Sequence, residues 1–257
     1  HVLKCQRINL YVNPPKLSWI QQRRFEQIKR RRAAGEPLQY ILGESHFMDV
    51  VLHVDQRVLV PRPETELLVE CVIKHLKKHF FDRESHVLDI GAGSGNIPIA
   101  IAKNVSKVKI ISMDISREAC KLARDNVRCH RVEDKVLIMP RDIFDWLLLK
   151  NHPNFFDLIV SNPPYVPSGQ LKQLPVDVQK EPVVALDGGE DGLRFYRHII
   201  THAPNVLKPG GWLFLEIGED MRKSLENLLT REGSFVNIEF HKDHAQRDRI
   251  VAAQLKI

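Results

Sequence analysis

Val87-Leu88-Asp89-Ile90-Gly91-Ala92-Gly93-Ser94-Gly95-Asn96-Ile97-Pro98-Ile99-Ala100-Ile101-Ala102 is the stretch from which the fold can be read. A short apolar strand runs into a turn without large side chains, and the apolar run beyond it opens a helix. Val108 to Met113 reads as a second strand ending at Asp114, and Arg117 to Cys129 as the following helix. Such a β-α-β-α repeat is the pattern of a parallel sheet with helices on both faces. Val136 to Met139 and Phe155 to Val160 continue the strands. Phe195 to Leu207 reads as a helix, Trp212 to Ile217 as a strand after Gly210-Gly211, and Met221 to Leu229 as a helix. Phe235 to Phe240 and Arg249 to Ala253 supply the last two strands, so an α/β domain with seven strands is expected.

Upstream of this core, Trp19, Phe25 and Ile28 predict a short helix ending near Gly35, with Pro37 preventing its continuation. Tyr40-Ile41-Leu42, Phe47 to Val54 and Val58 to Val60 are strand-like and predict a β-hairpin linker. Pro63 opens a helix with Glu64 and Glu66 in its first turn and Leu68, Val72, Ile73, Leu76 and Phe80 along a buried stripe. The expected division is a helical remnant over 1–36, a hairpin linker over 37–60 and the α/β domain over 61–257.

Gly91, Gly93 and Gly95 let a ligand approach the backbone, with Ala92 and Ser94 keeping the turn small. At the end of the second strand, Asp114 can accept hydrogen bonds from two ribose hydroxyls, which points to a nucleoside cofactor. The spacing departs from the dinucleotide fingerprint, whose third glycine is missing from its usual place. Asp89 before the turn would repel a pyrophosphate and attract the sulfonium or α-amino group of S-adenosylmethionine. That methyl donor is therefore favoured over a nicotinamide dinucleotide. Asp142, after the Val136 to Met139 strand, is placed to meet the adenine amino group, with Ile143 packing on the ring; a helix-capping role suits Asp142 equally well.

Ser161-Asn162-Pro163-Pro164-Tyr165 follows another buried strand, where open α/β sheets carry their chemistry. Two prolines stiffen this loop. The Asn162 side-chain oxygen and the Pro163 carbonyl can accept the two N–H bonds of an amide or exocyclic amine. Pro164 would hold the pocket's shape, and the Tyr165 ring would cover the flat face of the group. Asn162, Pro163 and Tyr165 are the candidate catalytic residues, and Asn162 is also expected at the methionine end of the cofactor.

The chain has 257 residues, of which 43% are hydrophobic and 27% charged, with a formal net charge of +6. That is the composition of a folded protein, and no apolar run approaches the ~18 residues of a membrane span. Cys5, Cys71, Cys120 and Cys129 form no CxxC pair and the twelve histidines show no ligand spacing, so no metal and no disulfide framework are expected. Arg23, Arg24, Lys29, Arg30, Arg31 and Arg32 make a basic cluster that is read as a solvated helix face in preference to an RNA contact.

With these motifs assembled, the chain resembles the seven-strand, Rossmann-like S-adenosylmethionine-dependent methyltransferases, and within them the HemK/PrmC family of release factor glutamine methyltransferases. The resemblance also rests on Pro37 to Gly43 with Phe47, Pro61-Arg62-Pro63-Glu64-Thr65-Glu66, Glu181-Pro182 with Ala185-Leu186, Gly188 to Leu193, and Leu207 to Gly211. Asn-Pro-Pro-Tyr alone is shared with methyltransferases of nucleic acid bases, so an exocyclic amino group of a base is the alternative substrate. The resemblance implies a class I peptide chain release factor as protein partner, methylated at the glutamine of its Gly-Gly-Gln motif. Arg62 and Glu64 are read as shaping the substrate entrance, with a structural salt bridge within the linker as an equal alternative. No membrane and no direct nucleic-acid contact are expected. The wording is closest to the animal mitochondrial member, which implies the mitochondrial matrix, or the cytoplasm if the source is bacterial. On this resemblance, only about the last helix of the family's helical amino-terminal domain is expected in this sequence.

Overall fold

The computed structural model describes residues 2–3, 8–12, 15–145 and 153–257. Cys5 lies outside them. The elements are α1 (Asn9–Val12), α2 (Trp19–Ala33), α3 (Leu38–Leu42), β1 (Glu44–Phe47), β2 (Val50–His53), α4 (Pro63–His79), β3 (Ser85–Ile90), α5 (Asn96–Asn104), β4 (Val108–Asp114), α6 (Arg117–Cys129), β5 (Val136–Pro140), β6 (Phe156–Ser161), α7 (Arg194–His202), β7 (Leu207–Glu216), α8 (Arg222–Glu232), β8 (Phe235–Lys242) and β9 (Asp248–Leu255). The main sheet has the order β5-β4-β3-β6-β7-β9-β8. Its first five strands are parallel, while β9 runs antiparallel to both β7 and β8. This is the expected seven-strand Rossmann-like architecture.

β6 is buried at every residue, as a central parallel strand covered on both faces must be. One apolar cluster, with Leu68, Val72, Ile99, Ala123 and Leu158, fills one side, and a second, with Leu88, Ile159, Tyr196, Ile199 and Leu225, fills the other. The chain passes from β3 to β4 on one side and later places β6 on the other. The order therefore reverses between β3 and β6, and a crevice opens beyond their carboxyl ends.

Some boundaries differ from expectation: β7 begins at Leu207 and not at the expected Trp212, and α8 runs on to Glu232. Leu38–Leu42 is a helical turn and not a strand: Pro37 stands at its amino end, and Gly43, at φ 77°, closes it with a hydrogen bond to the Gln39 carbonyl. Val58 to Val60 joins no ladder, because the Tyr40 hydroxyl takes the Val58 carbonyl and the Glu181 carboxylate takes the Val60 N–H at 3.0 Å. α7 stops at His202, as Pro204 sits in the tight turn that follows and Leu207 is already paired with Phe156. The hairpin itself forms from β1 and β2, with Phe47 opposite Val50. Its Phe47, Val50 and Leu52 join the first core cluster.

The predicted amino-terminal helix is α2, capped by reciprocal Ser18 and Gln21 bonds. None of its residues is buried. Several of its basic side chains have partners: Lys29 pairs with Glu26, Arg31 with Glu36 and Arg32 with Asp177, and the Arg23 guanidinium lies 4.5 Å from the Trp19 ring centroid. Cys71, Cys120 and Cys129 all lie on helices, as expected. Among the described residues no helix is long and apolar enough to cross a membrane.

Candidate active site

The loops after β3 and β6 meet over a cavity of about 250 Å³ at the reversal of strand order. Its wall includes Gly91, Gly93 and Ser94 from the first loop and Asn162, Pro163 and Pro164 from the second. Gly91 at φ 91° and Gly93 at φ 51° occupy the left-handed region that a side chain would strain, and a Cβ on Gly93 would meet nothing nearer than the Gly91 oxygen at 4.0 Å. The turn is tied to β4 by the Gly91 and Ala92 N–H groups, which donate to the Met113 carbonyl at 2.8 and 2.9 Å.

Asp114 stands on the cavity wall, where its carboxylate accepts from the Gly93 N–H at 2.9 Å and the Ser116 N–H at 2.8 Å. Burial raises its pKa and these two bonds oppose the rise. Each oxygen keeps a lone pair for a hydroxyl. Asp114→Ala is expected to weaken S-adenosylmethionine binding by about 1 to 3 kcal/mol through lost charge-assisted bonds and a loosened Gly93 turn. Calorimetry showing wild-type donor affinity would remove Asp114 from the cofactor site.

The donors suit S-adenosylmethionine in other respects. The Ser94 hydroxyl is buried without a hydrogen-bond partner at the cavity wall, and the buried Asp89 Oδ1 is likewise unpartnered. Asp89 departs from expectation: it does not line the cavity, its other oxygen accepts from the Ser112 hydroxyl, and burial pushes its pKa up to about 8. Burial disfavours its charged form, which a nearby cation would stabilise. Ala92 and Gly95 also lie off the wall, shaping the turn from outside. Asp142 and Ile143 are on the wall, and Asp142 uses one oxygen to accept from the Phe144 N–H at 2.9 Å, which caps a turn. Ile115 and Phe144, with the Arg194 guanidinium 4.7 Å from the Phe144 ring centroid, extend this apolar side and were not anticipated.

Asn162 begins the second loop. Its Nδ2 donates to the Thr65 hydroxyl at 3.0 Å, and that hydroxyl donates to Glu216 Oε2 at 2.7 Å. No described donor reaches Asn162 Oδ1. Tyr165, expected over the flat face of the substrate group, leaves the cavity wall and packs against the second core cluster beside Gly218. Its segment is held from outside. The Val166 N–H donates to the Leu186 carbonyl at 2.9 Å and the Gly188 N–H to the Val166 carbonyl at 2.8 Å, which accounts for the nearby Ala185 to Leu193 sequence. Arg62 lines the cavity while donating to the buried Glu181 at 2.6 Å; Glu64 does not reach the wall. On α6 the buried Asn126 accepts from the His53 N–H and donates to the carbonyls of His53 and Ser94, coupling hairpin to cofactor turn.

The Methyltransferase small domain family matches residues 63–177 and the PrmC N-terminal domain family matches residues 1–43. Release factor glutamine methyltransferases from Thermodesulfovibrio yellowstonii and Clostridium acetobutylicum are each 38% identical over 255 residues, spanning 99% and 98% of this chain and 89% and 87% of theirs. The ribosomal protein L11 methylase of Lactobacillus delbrueckii subsp. bulgaricus superposes with a TM-score of 0.55 at 19% identity, over 80% of this chain and 86% of that one, a likeness of fold. Similarity to the two bacterial relatives thus runs through both loops and the amino-terminal segment alike, and the chain belongs to the release factor glutamine methyltransferase family.

Proposed function

We propose that this chain methylates the side-chain nitrogen (N5) of the glutamine in the Gly-Gly-Gln motif of a class I peptide chain release factor, with S-adenosylmethionine as donor. The observation that carries this reading is the Asn162 amide, held at the cavity wall beside the glycine turn with its oxygen available. When bound, S-adenosylmethionine supplies an electrophilic methyl group. The glycine turn, Asp114 and the Asp142-Ile143 pair would bind it, with Ser94 and Asp89 near its polar end.

A glutamine amide nitrogen is a weak nucleophile because its lone pair is delocalised into the carbonyl. Asn162 Oδ1 and the Pro163 carbonyl accept its two N–H bonds, orient it and draw electron density onto it as positive charge develops. Pro164 stiffens this cradle, and Tyr165 anchors it from the core side. No strong base is needed before transfer, because an alkylated amide cation sheds its proton readily to water. Arg62, fixed by Glu181, shapes the entrance.

Incubation with methyl-labelled donor, a class I release factor and total RNA tests the reading. Label is expected on the Gly-Gly-Gln glutamine and lost when that residue is replaced. Label in RNA alone would favour the base-methylating alternative. The relatives reported above are bacterial, and a mitochondrial site of action rests on the sequence resemblance and a pI of about 9.1. Imaging of the tagged full-length gene product decides between matrix and cytoplasm.

A further inference from the structure

We propose that Thr65 and Glu216 are positioning residues which, through two consecutive hydrogen bonds, set which face of the Asn162 amide meets the substrate and make that setting depend on Glu216 being ionised. The proposal rests on the role given to Asn162 above. Both residues are buried, Thr65 at 1% and Glu216 at 2% exposure, and the connected chain is Asn162 Nδ2 to Thr65 Oγ1 to Glu216 Oε2.

A threonine hydroxyl has one proton to give and lone pairs to receive. An ionised Glu216 can only accept, so it takes that proton. Thr65 is then left as an acceptor, and only the NH2 end of the Asn162 amide can satisfy it. With Nδ2 committed to Thr65, Oδ1 is the atom offered to the substrate, whose own NH2 needs an acceptor. If Glu216 is protonated it can donate to Thr65 instead. Thr65 then turns its proton toward Asn162, where the amide oxygen is the matching partner. The amide flips, its NH2 meets the substrate NH2, and two donor groups face each other. An unpaired buried donor of that kind is costly.

The surroundings put this choice in the working pH range. Burial in the sheet raises the Glu216 pKa, the Thr65 bond lowers it, Glu64 at the start of α4 raises it, and Arg249 on β9 and Arg62 lower it, leaving it at about 7. The Tyr165 hydroxyl also lies in its electrostatic range, and the Tyr196 hydroxyl on α7 donates to the Glu216 backbone carbonyl at 2.8 Å. Because the ionised form is the competent one, activity should be lost as pH falls through that value and retained above it.

Two measurements test the relay. In the first, kcat for release factor methylation is followed from pH 5.5 to 9, with donor and protein-substrate KM recorded separately. Wild type is expected to lose about tenfold in kcat per pH unit below the midpoint, with donor KM nearly flat. Glu216→Gln keeps the volume but cannot ionise, and its acid limb should disappear. Thr65→Val should lower kcat by about 10- to 100-fold, while Thr65→Ser, which restores the hydroxyl, should recover most of it. An acid limb with an unchanged midpoint in Glu216→Gln, or wild-type kcat in Thr65→Val, would overturn the proposal. The second measurement needs no substrate. In asparagine-labelled protein, the Asn162 side-chain amide resonance, identified by its loss in Asn162→Ala, should titrate with the same midpoint in wild type and stay flat in Glu216→Gln. A pH-independent resonance in wild type refutes the relay whatever the protein methylates. A titrating resonance in a protein that methylates no release factor refutes the substrate reading and leaves the relay standing.

Discussion

Asn162→Ala is expected to lower the rate of glutamine methylation at least ~100-fold while leaving most donor affinity intact, the loss typical of one oriented hydrogen-bonding group in a transition state. The separation follows from geometry. Asp114, Gly93 and Ser116 form their own hydrogen-bonded unit on the β4 side of the cavity, separate from the bond that Asn162 Nδ2 makes to Thr65. Asn162→Asp is the sharper substitution. It keeps shape and acceptors but removes the NH2 that Thr65 receives, so the introduced carboxylate and Glu216 would compete for the single Thr65 proton. Two carboxylates facing one hydroxyl favour protonation of one of them, and the added charge can hold the cationic donor without productive transfer. Single-turnover methylation measured beside calorimetric donor binding separates these effects. Near wild-type rates in both variants would leave Asn162 as a turn residue and remove the basis for the proposed mechanism.

Much of the fold was legible because parallel strands covered on both faces appear as continuous apolar runs, as Phe156–Ser161 does. The errors fell where local patterns are ambiguous. Tyr40-Ile41-Leu42 is too short for periodicity to separate strand from helix, although Pro37 and Gly43 bracket one turn of helix. The apolar pattern of α7 continues through Val206 and Leu207, and only Pro204 marks the break.

Candidate residues at strand ends beside the cavity can be read from type and spacing, and contacts made across the sheet cannot. Gly91, Gly93 and Asp114 announce themselves by type and spacing beside strand ends. Thr65 and Glu216 are separated by 151 residues, and their hydrogen bond exists only once α4 packs over the end of β7. A weaker sign was present. Glu216 is an acid in the apolar run Trp212 to Ile217, and a buried carboxylate demands a partner. Asp89 carries the same sign in β3, yet its burial beside Ser112 alters the charge that sequence alone assigns to it.

Gly188→Ala is expected to be nearly as damaging as loss of Asn162, although Gly188 is not on the cavity wall. A Cβ there would sit 2.7 Å from Tyr165 Cα, 2.8 Å from the Tyr165 carbonyl carbon and 2.9 Å from Gly192 Cα. All three are backbone atoms, so no side-chain rotation relieves the clash. Retreat of Gly188 is blocked as well, because its N–H donates to the Val166 carbonyl and its carbonyl accepts from the Arg194 N–H at 3.1 Å. The strain must move the Asn162 to Val166 loop, and a displacement of about 1 Å at a reacting group costs on the order of 100-fold in rate. Overpacking of this kind also destabilises the fold by about 1 to 3 kcal/mol. Gly169, in the turn that follows the same loop, has nothing within 4 Å of its Cβ position, so Gly169→Ala should methylate normally and serve as the control. Thermal melts beside single-turnover rates distinguish a displaced loop from an unfolded protein. A folded Gly188→Ala variant with wild-type kcat would mean that the loop absorbs the methyl group, and that Asn162 is held by Thr65 alone.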